Sequence, residues 1–294
     1  MTPSSSPIPW NRIGFLTVLA TATVLVYLPG LSGPFVFDDF GSLSRLGDFG
    51  GVRDWPTFRA FVLGGDAGPT GRPLALLTFL IDGSGWPTDA WPFKRTNLVI
   101  HLLNGVLLGI LTALVLRFLD FHKRDIRWIA LVSAAIWLLH PFLVSTTLYV
   151  VQRMAQLATL FMLAGLIAYL YGRSMLATRA LKGYLVMSAG IGVFTLLAML
   201  SKENGILLPV LVGVVEVTII ASQRQRIPAL NRWWAGLFIV LPSIVAAVIG
   251  AVIGYPVNGL EYDATTGTLF GTTKDTGDGF VGLIEIDIQT GAAT

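Results

Sequence analysis

Cysteine is absent from the chain, and charge is scarce: only 13% of its 294 residues are Asp, Glu, Lys or Arg. The first absence excludes disulfides, thiolate metal sites and a cysteine nucleophile. The second is more telling, because an average soluble domain carries roughly a quarter charged residues. What fills the space is apolar: 54% of the residues are hydrophobic and the mean hydropathy is +0.72. A soluble sphere of this composition would expose broad apolar patches and aggregate. A bilayer removes that problem, so the composition predicts an integral membrane protein.

The formal charge of +3 and the pI near 9.3 do not indicate nucleic-acid binding. The basic residues fall in short loops between apolar runs and form no single patch. Asn11 and Arg12 precede the first apolar run in the manner of a signal peptide, yet no small-x-small cleavage site follows. The run reads as a retained first helix.

A membrane helix needs about 20 mostly apolar residues. Candidates lie at 13–29, 97–118, 128–150, 154–171, 183–200, 206–222 and 233–254. His140-Pro141 interrupts the third, because proline removes a backbone donor and clashes with the preceding turn. Residues 128–139 are therefore expected to cross, and 141–152 to turn along the far interface. The fold class is then an all-α polytopic membrane protein of about seven transmembrane helices, with a long first outer loop and a short β-like C-terminal tail.

Lys and Arg in the short loops set the orientation. Arg12, Lys123-Arg124-Arg127, Arg173-Arg179-Lys182 and Arg224-Arg226-Arg232 fall on one side if the spans alternate, leaving Arg153 and Lys202 on the other. Residues 1–12 are accordingly expected in the cytoplasm, and the 31–96 loop and the tail in the periplasm or a lumen. The loop carries Trp55, Phe58, Phe61, Trp86, Trp91 and Phe93, aromatics suited to an interface. Within it, 57–63 and 74–81 read as short helices on the bilayer surface. The membrane domain spans 13–254. Residues 255–294 change character: Thr-Gly turns between alternating β-formers indicate strands. Asp263-Ala-Thr-Thr-Gly267 is echoed by Asp287-Ile-Gln-Thr-Gly291, resembling one β-propeller repeat, which cannot bury a core alone. Either the tail packs on the outer loop or the reading frame joins unrelated pieces; the second is the expectation.

Ionisable groups at membrane depth are costly and mark function by default. Asp38-Asp39, in Phe35-Val-Phe-Asp-Asp-Phe40, places two carboxylates where the first helix leaves the bilayer. One could act as general base while the other orients a substrate or ion; alternatively they form a solvated helix end. Asn97, His101 and Asn104 share one face of the second span. They face water, or hydrogen-bond between helices. His140 and Arg153 flank the turn after the third span, and Lys202-Glu203 occupies the next outer turn. Cations are disfavoured on that side. An anionic phosphate would account for them, since Arg grips phosphate bidentately and Lys acts as a point charge. Internal pairing, Lys202 with Glu203 or Arg153 with a loop carboxylate, is the alternative. Arg72, in Gly71-Arg-Pro-Leu74, is a further loop cation.

Taken in order, Asp-Asp after the first helix, Arg-Pro-Leu in the loop, Asn-x-x-x-His-x-x-Asn, His-Pro, Gln-Arg and Ser-Lys-Glu-x-Gly make up a recognisable set. It resembles the GT-C superfamily of polytopic glycosyltransferases, nearest to the transmembrane O-mannosyltransferases with tetratricopeptide repeats and their bacterial relatives. The likeness covers roughly residues 13–222. It implies a polyprenyl-phosphate-linked sugar donor used on the outer face and a protein or glycan hydroxyl as acceptor. Asp38 or Asp39 would be the catalytic base, and Arg153 and Lys202, with His140 nearby, the donor-phosphate ligands. Arg72, Asn97, His101, Asn104 and Glu203 would support them. The family has more spans and then helical repeats, whereas this chain turns to a β-like tail. No metal-ligand spacing is evident, and a divalent metal is unsupported. The competing readings are a polytopic transporter, which should carry its polar groups at the midplane in repeated halves, and a non-catalytic membrane anchor.

Overall fold

The computed structural model describes residues 10–65, 70–223, 228–253, 261–263, 268–274 and 281–286. The chain is an all-α polytopic membrane protein: among the described residues, six helices are long and apolar enough to cross a bilayer. Arg12, Arg224 and Arg226, part of the charge pattern read from the sequence, have no described side chains.

The long elements are α1 (Trp10–Leu31), α5 (Trp91–Phe118), α6 (Lys123–Leu139), α8 (Arg153–Met175) and α9 (Ala180–Ser201). After them comes a 3-10 turn at Glu203–Leu207 leading into α10 (Leu208–Val215), which continues as a π turn at Glu216–Ile220. The last begins at α11 (Arg232–Ala235) and passes through a second π turn into α12 (Leu241–Ile253). Short helices cap the bundle: α2 (Asp38–Leu43), α3 (Trp55–Leu63), α4 (Pro73–Phe79) and α7 (Leu143–Leu148).

Helix α6 has only 17 residues and is not among the six long ones, yet it runs the length of its neighbours. Its start lies beside the start of α1, where Phe15 meets Trp128 edge-on at 6.4 Å. Its end lies beside the start of α5, where His101 Nε2 is 3.1 Å from the Leu138 carbonyl. The next helix, α8, begins on that same side. The break expected at His140-Pro141 is present, with α6 ending at Leu139 and the chain turning through α7 and a 3-10 turn, Val150–Gln152, before α8 begins.

Apolar faces point outward around the bundle. On α5, Val99, Leu103, Val106 and Ile110 are exposed, a single stripe at helical spacing, while Asn97, His101 and Asn104 on another face are buried. Water would not tolerate this inversion, but lipid does. Between α8 and α9 small residues let the backbones touch: a Cβ on Gly172 would lie 2.7 Å from the Gly183 carbonyl.

The basic end of the bundle closes on a buried cluster. Arg173 donates to Glu216 at 2.7 Å, and the Tyr169 hydroxyl donates to the same carboxylate. The π turn that carries Glu216 shifts the side-chain register so that this acid meets α8.

The chain forms two compact units, 1–244 and 245–294. In the second, three strands, Glu261–Asp263, Thr268–Lys274 and Val281–Ile286, form an antiparallel sheet in sequence order. The Thr-Gly turns read from the sequence, at 264–267 and 287–291, lie outside the described residues.

Candidate functional site

The break between α6 and α8 leaves backbone carbonyls without helical partners, and inside a bilayer each must be satisfied by protein. The polar stripe of α5 binds carbonyls along and beside this break, adding to the backbone bonds that Tyr149 O and Val150 O already accept. Asn97 Nδ2 donates to the carbonyls of Tyr149 and Val150, at 3.3 and 3.2 Å. His101 meets the Leu138 carbonyl, and Asn104 Nδ2 donates to Gln156 O at 3.0 Å. Gln156 in turn donates to Thr146 O at 2.7 Å. The stripe is interhelical hydrogen bonding, and all three side chains are buried.

Arg153 stands at the centre of this end, fully buried. Its Nε donates to Asn97 Oδ1 at 2.8 Å and its Nη1 to Thr78 O at 2.9 Å. Its Nη2 donates to Asp82 Oδ2 at 2.6 Å and to Phe93 O at 2.8 Å. The guanidinium also lies 4.6 Å over the Phe79 ring. Asp82 is equally buried and takes a second bond from Thr96 Oγ1 at 2.6 Å. The expectation that Arg153 binds a donor phosphate is therefore corrected. Its donors point into the protein and pin α4, α5 and α8 together, with a loop carboxylate as the partner.

The adjacent carboxylates separate into two roles. Asp39 is fully buried. Its Oδ2 accepts the Val36 N–H at 3.0 Å and its Oδ1 the Val151 N–H at 2.7 Å. Burial raises its pKa above the ordinary aspartate value, against the pull of those N–H groups and of Lys94. Lys94 itself donates to the carbonyls of Gly33 and Pro34 at 2.9 and 3.0 Å. Asp39 is thus a clamp between the end of α1 and the start of α8, with neither oxygen open to an acceptor. Asp38 is exposed. Its backbone N–H donates to the Tyr149 hydroxyl at 2.9 Å, which leaves its carboxylate on the open side. Of the pair, only Asp38 can meet a substrate.

Arg72 and Glu203 form the second half of the site. Arg72 Nε lies 3.0 Å from Glu203 Oε1, and its Nη2 lies 3.0 Å from Oε2, a two-point pairing. Thr70 Oγ1 adds a bond to the same carboxylate at 3.3 Å, and Arg72 Nη1 reaches Met154 Sδ at 3.3 Å. Among the described residues Lys202 and Glu203 form no pair; Glu203 takes Arg72 as its partner instead. Lys202 is half-buried and its ammonium makes no hydrogen bond among the described residues. Burial, then the nearby Arg72, lower its pKa below the ordinary lysine value, and Glu203 opposes them. His140 lies at the same end but turns back on its own chain, its Nδ1 accepting the Phe142 N–H at 3.2 Å.

The Ser-Lys-Glu-x-Gly motif has a steric reason for its last residue. A Cβ on Gly205 would fall 2.3 Å from the Ala198 carbonyl carbon and 2.5 Å from Met199 N. Gly205→Ala is expected to destabilise by about 1–3 kcal/mol, read as a lower melting temperature in detergent. An unchanged melting curve would contradict the close packing.

Asp38 and Arg72 thus dock on one short stretch, residues 149–154, at one end of the bundle, and Lys202 stands beside Arg72. Sequence reasoning missed Asp82, Lys94 and Tyr149. Among the described residues no group of three or more His, Asp and Glu could hold a metal ion. No family model, curated protein or solved structure matches the chain.

Proposed function

We propose that the protein is a GT-C type glycosyltransferase that moves a sugar from a polyprenyl-phosphate donor to a hydroxyl acceptor on protein or glycan. One observation carries this reading: the exposed Asp38 docks on Tyr149 and Arg72 on Met154, and Lys202, half-buried and without a hydrogen bond among the described residues, stands beside Arg72 at the rim of an apolar bundle. An inverting displacement needs such a carboxylate and such a cation. The acceptor hydroxyl gives its proton to Asp38 as its oxygen attacks the anomeric carbon. The bond from that carbon to the phosphate oxygen breaks, and the phosphate leaves with the electron pair. Lys202, with Arg72 held beside it by Glu203, meets the growing charge. A donor anchored in the bilayer brings its phosphate to this depth. The basic clusters at the opposite end support a cytoplasmic setting for that end and an outer-face setting for the site.

Membranes carrying the full chain are expected to transfer labelled hexose from a polyprenyl-phosphate donor to a hydroxyl peptide. Lys202→Ala should raise the donor KM by about tenfold or more, the loss of one charge-assisted bond. The pH dependence has a definite sign. Lys202 is charged, and donor binding full, below its lowered pKa; binding weakens as pH rises through that value, before the ordinary lysine range. Lys202→Arg should keep donor binding across the same alkaline interval, because guanidinium stays protonated. A donor KM that ignores both pH and the alanine substitution would remove Lys202 from the site.

A transporter reading draws on the ionisable cluster Tyr169, Arg173 and Glu216 within the spans. That cluster lies at the basic end, away from the midplane where a transport path would concentrate such groups. Transfer to an acceptor without uptake of the donor by proteoliposomes separates the two.

A further inference from the structure

We infer that Tyr149 is the positioning residue for Asp38, its hydroxyl fixing the direction in which that carboxylate faces an acceptor; the inference rests on the glycosyltransferase reading. Asp38 is otherwise a poor candidate for a precise base, since it is exposed and opens a helix of only six residues. Its surroundings remove that freedom. Val36 to Asp39 form a tight turn closed by the Asp39 N–H to the Val36 carbonyl at 3.0 Å. At its corner Phe37 has φ 46° and ψ −121°, a left-handed conformation that a side chain adopts at a cost of about 1–3 kcal/mol. Such a corner persists only where its neighbours over-determine it. Here Asp39 is bound on both oxygens, and the Phe37 ring meets Tyr149 edge-on at 6.3 Å.

The strained corner delivers Asp38 to the phenol. Its backbone N–H donates to the Tyr149 oxygen, so the phenolic proton is left to point elsewhere. The Asp38 carboxylate carbon is three bonds from that anchored nitrogen, and its charge acts on the phenol. Tyr149 is itself held at its main chain, where its carbonyl accepts from Asn97 and its N–H donates to Ser145 O at 3.0 Å. One hydroxyl therefore anchors the backbone from which the Asp38 carboxylate projects, and it does so from a residue that is rigidly placed. Desolvation first, and the Asp38 and Asp39 carboxylates after it, push the phenol up to about 12, so it stays protonated at working pH.

The test uses the full chain in detergent or proteoliposomes, with Tyr149→Phe and Asp38→Asn. Tyr149→Phe keeps the ring and removes only the hydroxyl. Its kcat for sugar transfer is expected to fall by about tenfold to a hundredfold, as misplacement of a catalytic group does, with the donor KM and the melting temperature unchanged. A merely structural role would instead lower the melting temperature and leave kcat alone, which would overturn the inference, as would an unchanged kcat. A second arm needs no activity. In 13Cζ-tyrosine NMR, the signal lost in Tyr149→Phe is expected to titrate at lower pH in Asp38→Asn, because a negative neighbour has gone; no movement would overturn the contact. Absence of transfer by the unaltered protein would overturn the glycosyltransferase reading, whatever the NMR arm reports on the contact itself.

Discussion

Asp38→Asn is expected to lower sugar transfer by about 10²–10⁴-fold, the usual contribution of a general base, while the protein stays folded and inserted. The side chain is exposed, so an amide of the same size can take its place without a packing cost, and what it removes is the proton acceptor. Asp39→Asn is expected to behave differently. Its two oxygens each accept one backbone N–H, and an amide can offer an oxygen to only one of them. The other N–H would face an NH2 group, at a cost of about 1–3 kcal/mol, so the loss should appear first as a lower melting temperature. The adjacent acids, equivalent as letters, are thus separable by pairing a transfer assay with a thermal melt. An active Asp38→Asn beside a folded but inactive Asp39→Asn would reverse the assignment.

The largest expected effect on stability is that of Arg153→Ala, a loss of about 3–5 kcal/mol, because it takes the nearer cation from the buried Asp82 carboxylate and leaves only the exposed Arg95, 3.9 Å away. Four of the arginine's bonds, to Asn97, Thr78, Asp82 and Phe93, end at once, and three helices lose their common anchor. Pairing Arg153→Met with Asp82→Leu should recover much of the loss, since replacing a buried ion pair by apolar groups is frequently neutral. Thermal melts in one detergent decide it. A phosphate-binding arginine would give the opposite pattern: an Arg153→Ala protein of normal stability with a raised donor KM.

The spans were legible because hydropathy reports depth. The expected 154–171 and 183–200 became Arg153–Met175 and Ala180–Ser201, and the loop helices 57–63 and 74–81 became Trp55–Leu63 and Pro73–Phe79. The proline break at 140–141 was legible for the same local reason. The last two expected spans, 206–222 and 233–254, proved less regular than their apolar text implied, each interrupted by a π turn; apolar composition sets no hydrogen-bond register. Pairing was not legible. That Arg153 and Lys202 needed a reason to lie outside the basic loops was clear from position, but position does not name a partner. Asp82 offered one signal, a lone acid closing the apolar run Leu74 to Ile81. The difference between Asp38 and Asp39 had none, because it depends on a left-handed corner at Phe37 and on a backbone N–H more than a hundred residues away at Val151.

The claim on which all of this rests is that the start of the chain and the end of α9 meet at the same end of the bundle. Because the chain has no native cysteine, spin labels can be placed without background, and the distances from Asp38→Cys to Lys202→Cys and to Lys182→Cys measured by pulsed electron resonance. The 22 residues of α9 span about 33 Å at 1.5 Å each. The first distance should therefore be short, and the second longer by on the order of 20 Å, most of that helix. Equal distances, or a label at 38 nearer to 182 than to 202, would contradict the account.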